Sequence, residues 1–223
     1  VAPRICRDFA PRMFAPESPK MSTPVAPRLK THWFKVETPR SADQTASAVA
    51  FVAWRAARHL IDRMRVAGFD VDPGAPYFGF VRETLLFLLA CADRMAHARL
   101  GAEARVPFTT ALVHHVARQL HDNETDLLGS GHDWGGLFVE QFNAVSQHYA
   151  EFGWSEPEGP DFGFVRYYGS RLEPFVPEPD RRWVIDQVMA AEVPEAVGML
   201  QRAMQGVFST EPRSARRGAL SGD

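Results

Sequence analysis

Asp72-Pro73-Gly74-Ala75-Pro76-Tyr77-Phe78-Gly79-Phe80-Val81-Arg82 returns in this chain, 84 residues later, as Glu156-Pro157-Glu158-Gly159-Pro160-Asp161-Phe162-Gly163-Phe164-Val165-Arg166. Seven of the eleven positions are identical, and an eighth exchanges one acid for another. Proline ahead of an apolar run suits a first helical turn, where its missing N–H has no acceptor to lose. A helix-opening phrase said twice predicts two copies of one helical unit. Glycine within such a turn costs about 1 kcal/mol relative to alanine, so Gly79 and Gly163 imply that a ring or a backbone lies against each.

Working outward from the first copy, Ser41 and Gln44 form a capping-box signature. Val49, Val52, Ala56, Leu60 and Met64 follow at spacings of three and four, which predicts a helix over 41–67 with Gly68 as its stop. Pro76 opens a second helix through Val81, Leu85, Leu88, Leu89, Ala92 and Met95 to Gly101, an apolar stripe broad enough for the centre of a bundle. Pro107 is expected to open a third, carrying Leu112, Val116 and Leu120 towards Gly129. A fourth spans about 135–152, with Phe138, Phe142, Val145 and Tyr149 on one face. The second phrase opens a fifth that Pro174 ends or kinks. Asp180 is expected to cap a sixth, with Trp183, Val184, Val188 and Met189 apolar, and Pro194 to restart it through Met199, Leu200, Ala203 and Val207.

No segment offers the paired β-branched runs and tight turn that would found a sheet. The expected fold is all-α: one bundle of about six helices over 32–208, built from two similar three-helix units at about 41–129 and 134–208. Residues 1–31 are expected to be an extended or disordered leader, 32–37 an extended arm pinned by Trp33 and Phe34, and 209–223 a disordered tail.

The 223 residues, 45 % of them apolar, suffice for one substantial core. The net charge of -2 hides an asymmetry: residues 1–40 carry eight Lys/Arg against three Asp/Glu (+5), leaving 17 against 24 (-7) for residues 41–223. An acidic body with a proline-rich basic arm is a poor nucleic-acid footprint, so no nucleic-acid partner is expected. Cys6 and Cys91 are far apart in sequence, which points to neither a disulfide framework nor a thiolate metal site, and the default is a reducing, bacterial-type cytoplasm. Thr84–Ala92, the longest apolar run, is about half of the ~20 residues a membrane span needs. The first twenty residues hold Arg4, Arg7 and Arg12 but no apolar signal core, and prolines at 3, 11, 16 and 19 oppose the amphipathic helix of a transit peptide.

Several groupings invite chemistry. Arg82 and Arg166 occupy matching places, where each can hold a carboxylate of a neighbouring helix or both can clamp a small anionic ligand, with His114 or His121 as general base. Gly131-His132-Asp133-Trp134-Gly135-Gly136 resembles the nucleophile elbow of the haloalkane dehalogenase and epoxide hydrolase branch of the α/β-hydrolases, and that resemblance implies Asp133 as nucleophile. An elbow follows a buried strand, however, whereas Asp122–Ser130 is polar, and His148 is the single histidine downstream. The stretch therefore reads as a loop between helical units.

His114 and His121 are two turns apart, and no Glu-x-x-His or His-x-x-x-His spacing occurs, so no metal is expected. His59 and His97 read as surface or satisfied partners of neighbouring acids. Asp122, Glu124, Asp126 and Asp133 mimic calcium-loop positions, but Leu127 stands where the loop requires glycine. Phosphate-loop and dinucleotide fingerprints are missing, so no cofactor is expected and the reading leans away from an enzyme. Sixteen phenylalanines on an acidic body favour a binding protein that engages a protein partner or its own twin through an apolar groove at the junction of the two units. The candidate binding residues are Phe78, Phe80, Arg82, Phe162, Phe164 and Arg166.

Overall fold

The computed structural model describes residues 40–156 and 158–209. The expected leader, arm and nearly all of the tail lie outside the described residues. The described residues between Arg40 and Ser209 belong to one unit that is helical almost throughout. Helix α1 (Ala42–Val66) starts on the anticipated capping box: Ser41 accepts from the Gln44 N–H, and Gln44 reaches back to the Ser41 N–H. It ends on Gly68 at φ +92, where Gly68 N–H donates to the Arg65 carbonyl and Phe69 N–H to that of Met64. This pair of bonds satisfies two carbonyls that the helix end would otherwise orphan.

Helix α2 (Ala75–Arg99) opens with Pro76 in its first turn and runs through the middle of the bundle, against α1, α3 (Ala102–Leu128), α4 (Trp134–Ala150), α5 (Phe162–Leu172) and α7 (Val193–Phe208). Leu85, Leu86, Phe87, Leu88 and Leu89 are buried in succession, so α2 is apolar all round because it has neighbours all round. Each such side chain contributes roughly 1.5–3 kcal/mol on burial. Among the described helices α2 is the one long and apolar enough to cross a membrane, and 78 % of its most apolar window is buried inside the bundle.

Three boundaries differ from expectation. Helix α3 begins at Ala102, so Pro107 lies inside it. The extra turn is held by Arg105, which donates from Nε to Asp93 on α2 (2.9 Å), and just beyond Pro107 Thr109 donates to the same carboxylate (2.7 Å). Asp180 is not a cap: α6 (Glu178–Gln187) starts two residues earlier, at Glu178 with Pro179 in its first turn, and the Asp180 carboxylate accepts from the Asp70 N–H instead (3.4 Å). Pro194 does not restart a helix, because α6 passes into α7 through a π turn, Val188–Glu192. Val193 N–H donates there to the Val188 carbonyl, so the ladder has already shifted register before the proline, which has no N–H to give.

The two phrases fold differently. The first is helical from Ala75, whereas in the second Gly159 (φ +89) and Pro160 form strand β2, paired over two residues with β1 (Trp154–Ser155). Helix α5 then starts at Phe162, with Asp161 accepting from the Phe164 N–H (2.8 Å) and the Gly153 N–H (2.8 Å). The helices they open do meet at equivalent positions: Tyr168 and Thr84, 84 residues apart, hydrogen-bond at 2.7 Å. Elsewhere α1 lies along α3 and α7, whereas α4 packs on α3 and α2. The described fold is a single helical bundle.

Candidate functional site

The repeated corners are packing devices. Phe78, Phe80 and Phe164 are fully buried, and Phe87 stacks on Tyr168 with ring centroids 4.3 Å apart. Tyr149 and Phe164 stack at 4.7 Å, with Phe152, Trp154 and Tyr167 around them. The expected apolar groove between the units is therefore filled with rings. As anticipated, a ring lies against each glycine: Phe175 against Gly79 and Phe152 against Gly163. Phe162 departs from its counterpart Phe78 and is 68 % exposed.

Arg82 and Arg166 do not form a clamp. Arg82 pairs with Glu124 of α3 beneath the ring of Trp134, while Arg166 lies on the exposed face of α5. Glu124 is fully buried, and burial pushes its carboxyl above the ordinary range despite the opposing pull of Arg82 and His121. Glu124 Oε2, Arg82 Nε and His121 Nδ1 have no hydrogen-bond partner among the described residues.

Asp133 caps α4, accepting from the Gly136 N–H at 2.9 Å. Its side chain is 80 % exposed, and the segment leading to it is helix α3 rather than the strand an elbow demands. A Cβ added at Gly135 would come within 3.3 Å of the Ala117 carbonyl oxygen, and one added at Gly136 would collide with the Asp133 carboxylate, so both glycines serve close packing at a helix start. Asp122, Glu124 and Asp126 are on one continuous helix, which disperses the calcium-loop pattern. His114 is exposed, His115 bonds Asp43 (2.8 Å) and His59 bonds Glu195 (3.0 Å). No group of three metal-ligating side chains occurs among the described residues.

Two further buried carboxylates, Glu83 and Glu192, are committed internally. Arg171 of α5 makes a two-pronged contact to Glu83 of α2, at 2.5 and 2.7 Å. Arg63 of α1 donates from Nε to Glu192 on the π turn (2.7 Å) and also pairs with Glu195 (2.6 Å). Gln187 holds the other oxygen of Glu192 at 2.9 Å. These contacts join helices distant in sequence and so specify which face meets which.

Among the described residues an open groove of about 450 Å³ lies between the end of α1 and the outer face of α6. Ala67, Gly68 and Phe69 form one wall; Asp180, Trp183, Asp186, Gln187 and Ala190 form the other. Trp183 is 55 % exposed, with the Arg182 guanidinium 5.3 Å from its ring centroid. The lining is rich in hydrogen-bond acceptors and holds two carboxylates and no basic side chain. Sequence reasoning placed Trp183 on the apolar face of its helix and missed this site. The available signal was the spacing Asp180-x-x-Trp183-x-x-Asp186-Gln187, which aligns these groups along one side of a helix.

No protein-family model, no curated protein and no solved structure matches this chain.

Proposed function

We propose that this protein is a non-catalytic helical binding protein that engages a protein partner through the groove between the end of α1 and α6. The carrying observation is Trp183, a large aromatic side chain held 55 % exposed in a concave acidic setting. Tryptophan is enriched where interfaces concentrate their energy, because it brings much area at little conformational cost. The pairing of Glu83, Asp93, Glu124 and Glu192 with internal arginines also supports a binding role, since these carboxylates serve the bundle.

The test places a photoactivatable phenylalanine analogue at the exposed lining position Ala190 of the full chain, which leaves Trp183 intact, and at exposed Phe51 as a control, in extracts of the native cells. A single crosslinked protein at 190 that is missing at 51 supports the reading. Sedimentation of the purified chain then tells its own twin from another partner. Monomeric behaviour together with no crosslink specific to position 190 overturns it.

A further inference from the structure

The groove has a chemical bias that names its guest. Resting on the binding role proposed above, we infer that it receives an arginine side chain of the partner, with the guanidinium on the indole of Trp183 and its N–H groups directed to Asp180, Asp186 and Gln187.

The lining itself contains two carboxylates and no basic side chain, and the Arg182 guanidinium beside it lies over the Trp183 ring. Asp180 spends Oδ2 on the Asp70 N–H, which leaves Oδ1 for a guest. Gln187 turns its amide nitrogen to Glu192, which leaves its carbonyl oxygen as the end that can accept. That orientation is enforced, since the carbonyl end would face a carboxylate if the amide were turned over. The end of α1 adds the partial negative charge of a helix C-terminus at Ala67 and Gly68. A wall made of acceptors selects a donor-rich cation.

Trp183 selects further. Its ring already carries one guanidinium, that of neighbouring Arg182, at cation–π distance. Arginine suits such a site better than lysine: its planar group stacks on an aromatic face, offers five donors in a fixed fork and is less strongly hydrated than an ammonium. Phe69, half-buried beside the groove, supplies apolar surface for the side-chain stem.

The test titrates the full-length protein with the peptide acetyl-Gly-Gly-Arg-Gly-Gly-amide and with its lysine and citrulline counterparts, following the Trp183 indole N–H by NMR. Citrulline keeps the shape of arginine and removes the charge. The arginine peptide is expected to bind with Kd of order ~1 mM, about tenfold tighter than the citrulline peptide. Trp183→Ala, followed on the backbone N–H of Gly68, and the double variant Asp180→Asn/Asp186→Asn should each weaken arginine binding about fivefold or more, while Phe51→Ala leaves it unchanged. Asparagine retains an acceptor for the Asp70 N–H, so the double variant keeps the local fold. Equal affinity for arginine and citrulline, no arginine binding, or indifference to both groove variants overturns the inference. A specific crosslink at position 190 combined with any of those results would refute the arginine assignment and leave the binding role standing.

Discussion

Replacing Gly79 by alanine sets two effects of opposite sign against each other. Alanine is favoured over glycine within a helix by about 1 kcal/mol. An added Cβ would, however, lie 2.1 Å from Cε1, 2.3 Å from Cδ1 and 2.8 Å from Cζ of Phe175. Ordinary contact begins near 3.4 Å, so the ring must withdraw by roughly 1.3 Å, the difference between 3.4 and 2.1 Å. Phe175 belongs to a short 3₁₀ turn, Glu173–Phe175, between Pro174 and the buried Val176, which restricts its retreat. Overpacking of this kind costs about 1–3 kcal/mol, so Gly79→Ala should destabilise by about 1 kcal/mol net. Gly163→Ala is the internal control: its Cβ would meet Phe152 at 2.9 Å, a milder clash that the helix preference offsets, leaving stability near that of wild type. Urea denaturation followed by far-UV circular dichroism reads both variants, and 1 kcal/mol corresponds to about 2–4 °C in Tm for a protein of this size. In a Phe175→Ala background the added methyl should become neutral or stabilising, giving a coupling of about 1–2 kcal/mol. Stabilisation by Gly79→Ala in the wild-type background, or a cost unaltered by Phe175→Ala, would refute the reasoning.

Glu124 supplies a pH test. Its carboxyl is held above 4.5 in the folded state, mainly by burial, so on raising the pH the unfolded chain releases this proton first. Its contribution is complete below about 4.5 and is lost as pH climbs through the raised folded value. The stability of wild type minus that of Glu124→Gln, taken from urea midpoints at successive pH values, should fall as pH rises; a difference that grows would mean that attraction to Arg82 outweighs burial. Arg171→Met strands the buried Glu83 carboxylate and should cost about 2–3 kcal/mol, of which Glu83→Leu in the same chain recovers most. Additive losses in that double variant would show that the pair contributes nothing specific.

Much of the helix plan was legible because its signals are local. The capping box at Ser41 and Gln44, the stop at Gly68 and the proline in the first turn of α2 each act within about one turn, and all three stand where the residues placed them. Boundaries failed where a distant partner intervened. Asp93 holds an extra turn at the start of α3, and the N–H of Asp70 draws the Asp180 carboxylate across from α6. The π turn escaped notice because proline signals a break, whereas the chain keeps its axis by shifting register.

The sequence alone determined that the chain is a helical bundle with α2 at its centre, since the 3.6-residue period and the caps are written in neighbouring residues. It also implied that Gly79 and Gly163 are pressed by something, without naming Phe175 and Phe152. Only the tertiary structure decided which arginine meets which carboxylate: matching positions sent Arg82 inward to Glu124 and left Arg166 on the surface. It likewise brought the end of α1 beside Trp183, more than a hundred residues along the chain, and so made the groove. Local order follows from the periodicity of a single segment, whereas a site follows from which faces exclude water together, and that depends on every helix at once.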